Sequence, residues 1–211
     1  MDSSAEPAVR RIHDITANFF FWQGLRWVPL GAALLVVAGS LAPRTIVPEW
    51  LQDWLPITAM FAAFAVSSVI GQWYGRAYGR VRALPGMHAR RSRIKWFVIY
   101  PLVLATLIID VHFELTVATS ALAFAVAVEA YRRSTGGGRR HYVIASAVFI
   151  ASSVAPALGL VAPGPDAADM VIALLGATYV VGGVLDHLEL RRALPAIPRT
   201  DGPVADAWCG Q

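Results

Sequence analysis

The amino-acid sequence encodes an all-α integral membrane protein, with six transmembrane helices in three sequential hairpins and both termini cytoplasmic, on three grounds. Of 211 residues, 56% are hydrophobic and 15% charged, and the mean hydropathy is +0.54, a membrane composition. The charges form short islands between apolar stretches of about 16 to 22 residues, the length that crosses a hydrocarbon core roughly 30 Å thick. Sixteen of the 18 basic residues fall in alternate islands, the asymmetry that orients membrane helices with their basic connections in the cytoplasm.

The segment 1–26 contains "PAVRRIHDITANFFFWQGLR", amphipathic enough to lie on the cytoplasmic face as an interfacial helix, with Pro29 bending the chain into the bilayer. The transmembrane domain spans 27–192, with helices expected over 27–42, 54–75, 96–111, 114–131, 142–162 and 170–188. "LVVAGSLA", ending at Ala42, resembles a signal-peptide core, but its long aromatic leader makes it an uncleaved span. Lipid offers the backbone no hydrogen-bond partner, so each span must be a helix; the alternation of a barrel strand is missing.

Spans three and four read as one apolar run without Gly or Pro at a turn. A single helix of that length would be roughly 55 Å long, nearly twice the core, so the chain must fold back, with Asp110, His112 and Glu114 marking the external turn. Pro101 and Pro156 are expected to bend spans three and five. Residues Trp22, Trp27, Trp50, Trp54, Trp73, Tyr74, Trp96 and Tyr142 are expected to form aromatic belts at the membrane edges. The tail 193–211 mixes Pro, Gly and acids without periodicity and reads as a disordered cytoplasmic segment.

The orientation places Arg10 and Arg11, the run Arg76 to Lys95, the cluster Arg132 to Arg140, and Arg191, Arg192 and Arg199 on the cytoplasmic side. Beside membrane spans such charge sets topology and touches anionic headgroups. Membrane lipid is therefore the expected partner, with a second copy or another protein as further options, and nucleic acid is not expected. Seventeen of the 18 basic residues are arginine, which points to a GC-rich bacterial gene and hence to the inner membrane. The single Cys209 excludes an intramolecular disulfide.

Span two carries small residues every fourth position: Ala59, Ala63, Ser67, Gly71, Gly75 and Gly79. Such a stripe lets helices approach closely, within the chain or between two copies. Beside it run Ser68, Gln72, Arg76 and Arg80. Ser68 and Gln72 are deep enough to need partners, whereas Arg76 can reach the cytoplasmic surface.

The candidate site lies at the cytoplasmic ends of the spans. Asp186 and His187 are neighbours near the end of span six, and His141 and Glu129 reach similar depth, as do Gln72, Tyr74 and Arg76. Thr178, Gly182 and Asp186 share one face of span six, and Gly183 and His187 the adjacent one, so small residues leave room beside the acid. A carboxylate in hydrocarbon costs about 2.5 kcal/mol or more, so Asp186 should face protein, with Arg76 or Arg132 as the expected partner.

Three readings remain open. The cluster locks helix ends in a non-catalytic binding, sensing or accessory subunit; or it serves a small proton-coupled transporter; or it forms a membrane-edge enzyme or cofactor site using His187, Asp186 and Glu129. A metal is disfavoured because adjacent helical residues point about 100° apart, and a haem would need His141 and His187 facing one another. No catalytic nucleophile motif, phosphate loop or H-E-x-x-H is present, and no cofactor is specified.

Overall fold

The computed structural model describes residues 23–41, 48, 51, 53–78, 87–134 and 140–193, with side chains at all of these except 41, 87–98, 100, 134 and 193. The amphipathic segment up to 22, Gly79, Arg80 and the tail from 194 lie outside the described residues, as do Trp22, Trp50 and the side chain of Trp96. Those described form six helices: α1 (Val28–Leu41), preceded by a single 3-10 turn (Gly24–Arg26), α2 (Leu55–Ala77), α3 (Met87–Phe113), α4 (Thr119–Ser134), α5 (Arg140–Ser153) and α6 (Pro165–Ala193). The described chain is thus all-helical, and two helices, α2 and the stretch Pro165–Arg192 of α6, are long and apolar enough to cross a membrane.

The last helix is the centre of the assembly. Helix α6 packs against α1, the 3-10 turn, α3, α4 and α5, while α2 reaches the bundle mainly through α1 and the 3-10 turn. Its ends suit a long helix: Pro165 opens it with the φ a first turn needs, Asp166 stands at the positive end of its dipole, and Arg191 and Arg192 close the negative end.

Glycine brings α1 against α6. A Cβ on Gly31 would stand 2.6 Å from the carbonyl oxygen of Gly176, one on Gly176 would be 2.8 Å from that of Gly31, and one on Gly183 would be 2.6 Å from that of Gly24. The partners are 24 with 183 and 31 with 176, so the strip runs antiparallel with a seven-residue repeat on both sides. At the other end, Ala118, Ala121 and Ala125 of the α4 region meet Phe149 of α5 and Ala167 and Val171 of α6 in a fully buried cluster. There Phe124 stacks on Phe149 at 5.6 Å.

Several boundaries differ from the sequence expectation: the third and sixth helices begin early, at Met87 and Pro165, where 96 and 170 were expected. Helix α3 continues to Phe113, so the turn falls at 114–118, and Asp110 belongs to its last turn. Glu114 takes φ 46°, the left-handed conformation that ends helices. Helix α5 stops at Ser153 where a span to 162 was expected; Pro156 cannot donate to Ser152, and Ala155 N–H donates there instead at 3.1 Å. Pro156 therefore follows a helix end and bends no helix, whereas Pro101 lies inside α3. Helices α4 and α5, 16 and 14 residues long, measure roughly 24 and 21 Å at 1.5 Å per residue.

Asp110, 2% exposed, caps α4 across the turn. One carboxylate oxygen accepts Thr119 N–H at 2.9 Å and the Thr119 hydroxyl at 2.6 Å, and the other accepts Ser120 N–H at 2.7 Å. A carboxylate on the first amides of a helix meets both their unsatisfied hydrogens and the helix dipole. Asp110→Ala is expected to lower stability by about 1–2 kcal/mol, read as a lower thermal midpoint in detergent. An unchanged midpoint would remove the cap from the forces holding the α3–α4 hairpin.

Candidate functional site

The side-by-side acid and imidazole of α6 serve two different neighbours. Successive helical residues point about 100° apart, and this divides the pair: Asp186 turns to α5 and His187 to α2. Asp186 is 0% exposed; its Oδ2 accepts the Tyr142 hydroxyl at 2.8 Å, and its Oδ1 lies 3.2 Å from His141 Nε2, an ion pair when that imidazole is protonated, though without hydrogen-bond alignment. His187 Nδ1 lies 2.7 Å from the hydroxyl of Tyr74, a hydrogen bond whose direction follows the imidazole tautomer. The same hydroxyl accepts Leu25 N–H at 3.4 Å, so Tyr74 links α2, α6 and the 3-10 turn.

Small residues make this geometry accessible. Gly183 admits the backbone of Gly24, and Gly182 leaves space filled by the Tyr142 phenol, whose oxygen would be 3.5 Å from a Cβ there. A carboxylate with two phenols and two imidazoles can bind a cation or exchange protons. Among the described residues no group of three or more His, Cys, Asp and Glu converges to hold a metal ion. His141 addresses Asp186 while His187 addresses Tyr74, so the two imidazoles do not form a facing pair for haem.

Of the residues singled out in the sequence, Tyr74, His141, Asp186 and His187 are thus brought into contact in these two clusters. Glu129 is not part of them: it takes Arg132 through two bonds of 2.7 Å and Arg133 through a third, all on α4. Among the described residues the partners shown for Asp186 are Tyr142 and His141, where Arg76 or Arg132 was expected, and Arg132 engages Glu129. Gln72 and Arg76 are exposed on α2. Ser68 satisfies its hydroxyl on the Phe64 carbonyl of its own helix at 2.8 Å, which explains how it sits on an exposed face without another helix.

The small-residue stripe of α2 also divides. Ala63 is buried, Ala59 and Ser67 partly so, and at Gly71 the missing side chain is replaced by the Arg26 guanidinium, whose Nε would be 2.9 Å from a Cβ. A Cβ at Gly75 would meet no atom of the described residues within 4 Å, so among them the close approach expected there is missing.

Two site residues escaped the sequence reading, Tyr142 and Gly24. Tyr142 was assigned to an aromatic belt, as was Tyr74, yet Tyr74 is fully buried and Tyr142 half-buried against Asp186. Tyr142 follows His141 directly, so the depth that brought His141 to Asp186 applied to it equally. The seven-residue repeat of glycines at 24 and 31 and at 176 and 183 was the signal for the α1–α6 contact.

Compared with models of known protein families, with curated proteins and with solved structures, the chain matches none of them.

Proposed function

We propose that this chain is a six-span bacterial inner-membrane protein with both termini cytoplasmic, acting as a non-catalytic binding, sensing or accessory subunit. The membrane reading is supported by where the apolar surface lies: the spanning window of α2 is only 6% buried, and Phe61 and Phe64 are 73% and 59% exposed on it. A soluble core helix would hide such residues, whereas lipid is their natural solvent. The short helices α4 and α5 require modest local thinning of the bilayer, at fractions of a kcal/mol per Å.

One observation carries the binding role: Asp186, fully buried, is held by Tyr142 and His141 of a different helix, beside a cavity lined by Tyr142, Thr178 and Gly183 among others. An ionisable group kept inside a bundle marks a functional site unless it only joins helices. Transport ranks below this reading because the ionisable groups gather toward the helix ends while transporters place them at mid-membrane. Catalysis ranks below it because Glu129 is spent on its own helix. The arginine-rich connections are expected to rest on anionic headgroups or a protein partner.

Topology is tested by single cysteines at Ser92 and Pro163 in a Cys209→Ser background, labelled in intact cells with an impermeant maleimide. The expected result is labelling at 163 alone. Labelling at 92 from outside would overturn the orientation, and with it the grouping of basic connections on one side.

A further inference from the structure

A partly open cavity of about 80 Å³ lies between Trp27, just before α1, and helices α3 to α6. Its wall follows α6 from Leu175 to Gly183 and α4 from Phe124 to Tyr131, about 12 and 10 Å along the two axes at 1.5 Å per residue. The space is therefore long and thin. A cavity of roughly 150 Å³ encloses a benzene ring, whereas this smaller volume is drawn out along the helices and suits a single unbranched chain. No charged side chain is among the described residues that line it. Thr178 donates its hydroxyl to the Leu174 carbonyl of its own helix at 2.8 Å, and Tyr142 donates to Asp186 at 2.8 Å. The rings are engaged with one another, Trp27 stacked on Tyr179 at 5.9 Å and Tyr131 edge-on to Tyr142 at 5.0 Å.

We propose that this slot holds one acyl chain of a phospholipid from the cytoplasmic leaflet. A sugar, nucleotide or ion is held by polar groups that converge on it, and a water needs about two to four polar partners; this wall offers carbon. An alkyl chain asks for nothing else. Coming from lipid it leaves no water behind, so dispersion contact with a fitted wall decides its occupancy, and the bilayer supplies it at the concentration of a solvent. Lipid chains run along the helices of a membrane bundle, the direction in which the slot is drawn out, so a chain enters without turning across the bundle. The leaflet follows from depth, since Tyr131 and Tyr142 flank the basic connection between α4 and α5. The proposal rests on the membrane reading and names the ligand of the binding role.

The test is photolabelling of the full chain in phosphatidylglycerol nanodiscs doped with phosphatidylglycerol that carries a diazirine midway along one acyl chain, with labelled residues located by mass spectrometry. Wild type is expected to be labelled at Val103 and Leu175 in the slot as well as at Phe61 and Phe64 on the open face of α2. A chain that stays outside the bundle cannot reach Val103, which is 8% exposed. Ala127→Leu on α4 and Thr178→Phe on α6 each add carbon to the wall and should lower labelling of the slot by about fivefold or more, leaving Phe61 and Phe64 labelled as before. Fillers on two helices are needed so that misfolding of either leaves the other as a readout. Label at Phe61 and Phe64 with none at Val103 and Leu175 would overturn the proposal and leave the membrane reading standing, as would slot labelling kept within about twofold by both variants. Absence of label from α2 as well would overturn the membrane reading, and the proposal with it.

Discussion

Gly183→Leu is expected to abolish the folded bundle, leaving protein that aggregates on extraction or melts far below wild type. Glycine is a poor helix former, so leucine in its place would by propensity alone stabilise α6 by about 1 kcal/mol. Packing reverses the sign. The first added carbon would stand 2.6 Å from the backbone oxygen of Gly24 and 3.0 Å from Val28 Cγ2, and a backbone oxygen cannot swing aside as a flexible side chain can. Overpacking by single methylenes costs about 1–3 kcal/mol; leucine adds four carbons where there is no room for one, so a net loss above about 3 kcal/mol is expected. Gly75→Leu is the control, since no atom of the described residues lies within 4 Å of a Cβ there. It should leave the thermal midpoint unchanged or slightly raised. An unaltered midpoint for Gly183→Leu would mean that α1 and α6 do not cross at this point, and a collapse of Gly75→Leu would reveal a neighbour packed on α2 beyond the described residues, from this chain or a second copy.

That contrast shows what was legible in the sequence. Both helices carry glycines, and a four-residue stripe on α2 is the stronger pattern by eye; yet tightness is decided by what lies opposite, and a stripe says nothing of its partner. Helix existence was readable because apolar length and charge spacing are properties of one segment. Each of the six described helices overlaps its expected segment, and the errors are at ends: α3 and α6 begin early, α5 is short because Pro156 interrupts the ladder, and α4 starts late because the Asp110 carboxylate fixes Thr119 and Ser120 as its first turn.

The candidate site was legible to the depth of its residues and no further. The span lengths put His141 and His187 at similar depth, and the 100° step between neighbours separated Asp186 from His187. Which neighbour each would meet depended on helix order around α6, which depth cannot supply. Arginine was the expected partner for Asp186 because opposite charges attract in a bilayer, but Glu129 lies one helical turn from both Arg132 and Arg133 on the same helix. A local pair forms without any helix having to move, so Glu129 engages Arg132 and Arg133, while among the described residues a phenol donates to the buried acid.

Asp186→Ala should lower stability by about 2–3 kcal/mol, against about 1 kcal/mol for Asp186→Asn. Alanine removes the acceptor of the Tyr142 hydroxyl and the neighbour of His141 together, and leaves a polar hydroxyl inside the bundle with its hydrogen bond lost. Asparagine fills the same volume and keeps an oxygen for Tyr142, so it loses the charge and not the bond. Magnitudes in bilayers temper the expectation: hydrogen bonds between membrane helices average about 0.6 kcal/mol and reach about 1.7, because the separated helices also find partners. The figure for alanine exceeds that range because it combines a charged acceptor, an orphaned donor and lost packing at a residue with no exposed surface. A double-mutant cycle with Tyr142→Phe separates these contributions. If the phenol–carboxylate bond is what holds α5 to α6, Asp186→Ala and Tyr142→Phe combined should cost less than the sum of the two alone by about 1 kcal/mol. Strict additivity would mean that the two side chains stabilise the bundle independently, and the bond would then not be the contact that joins the helices.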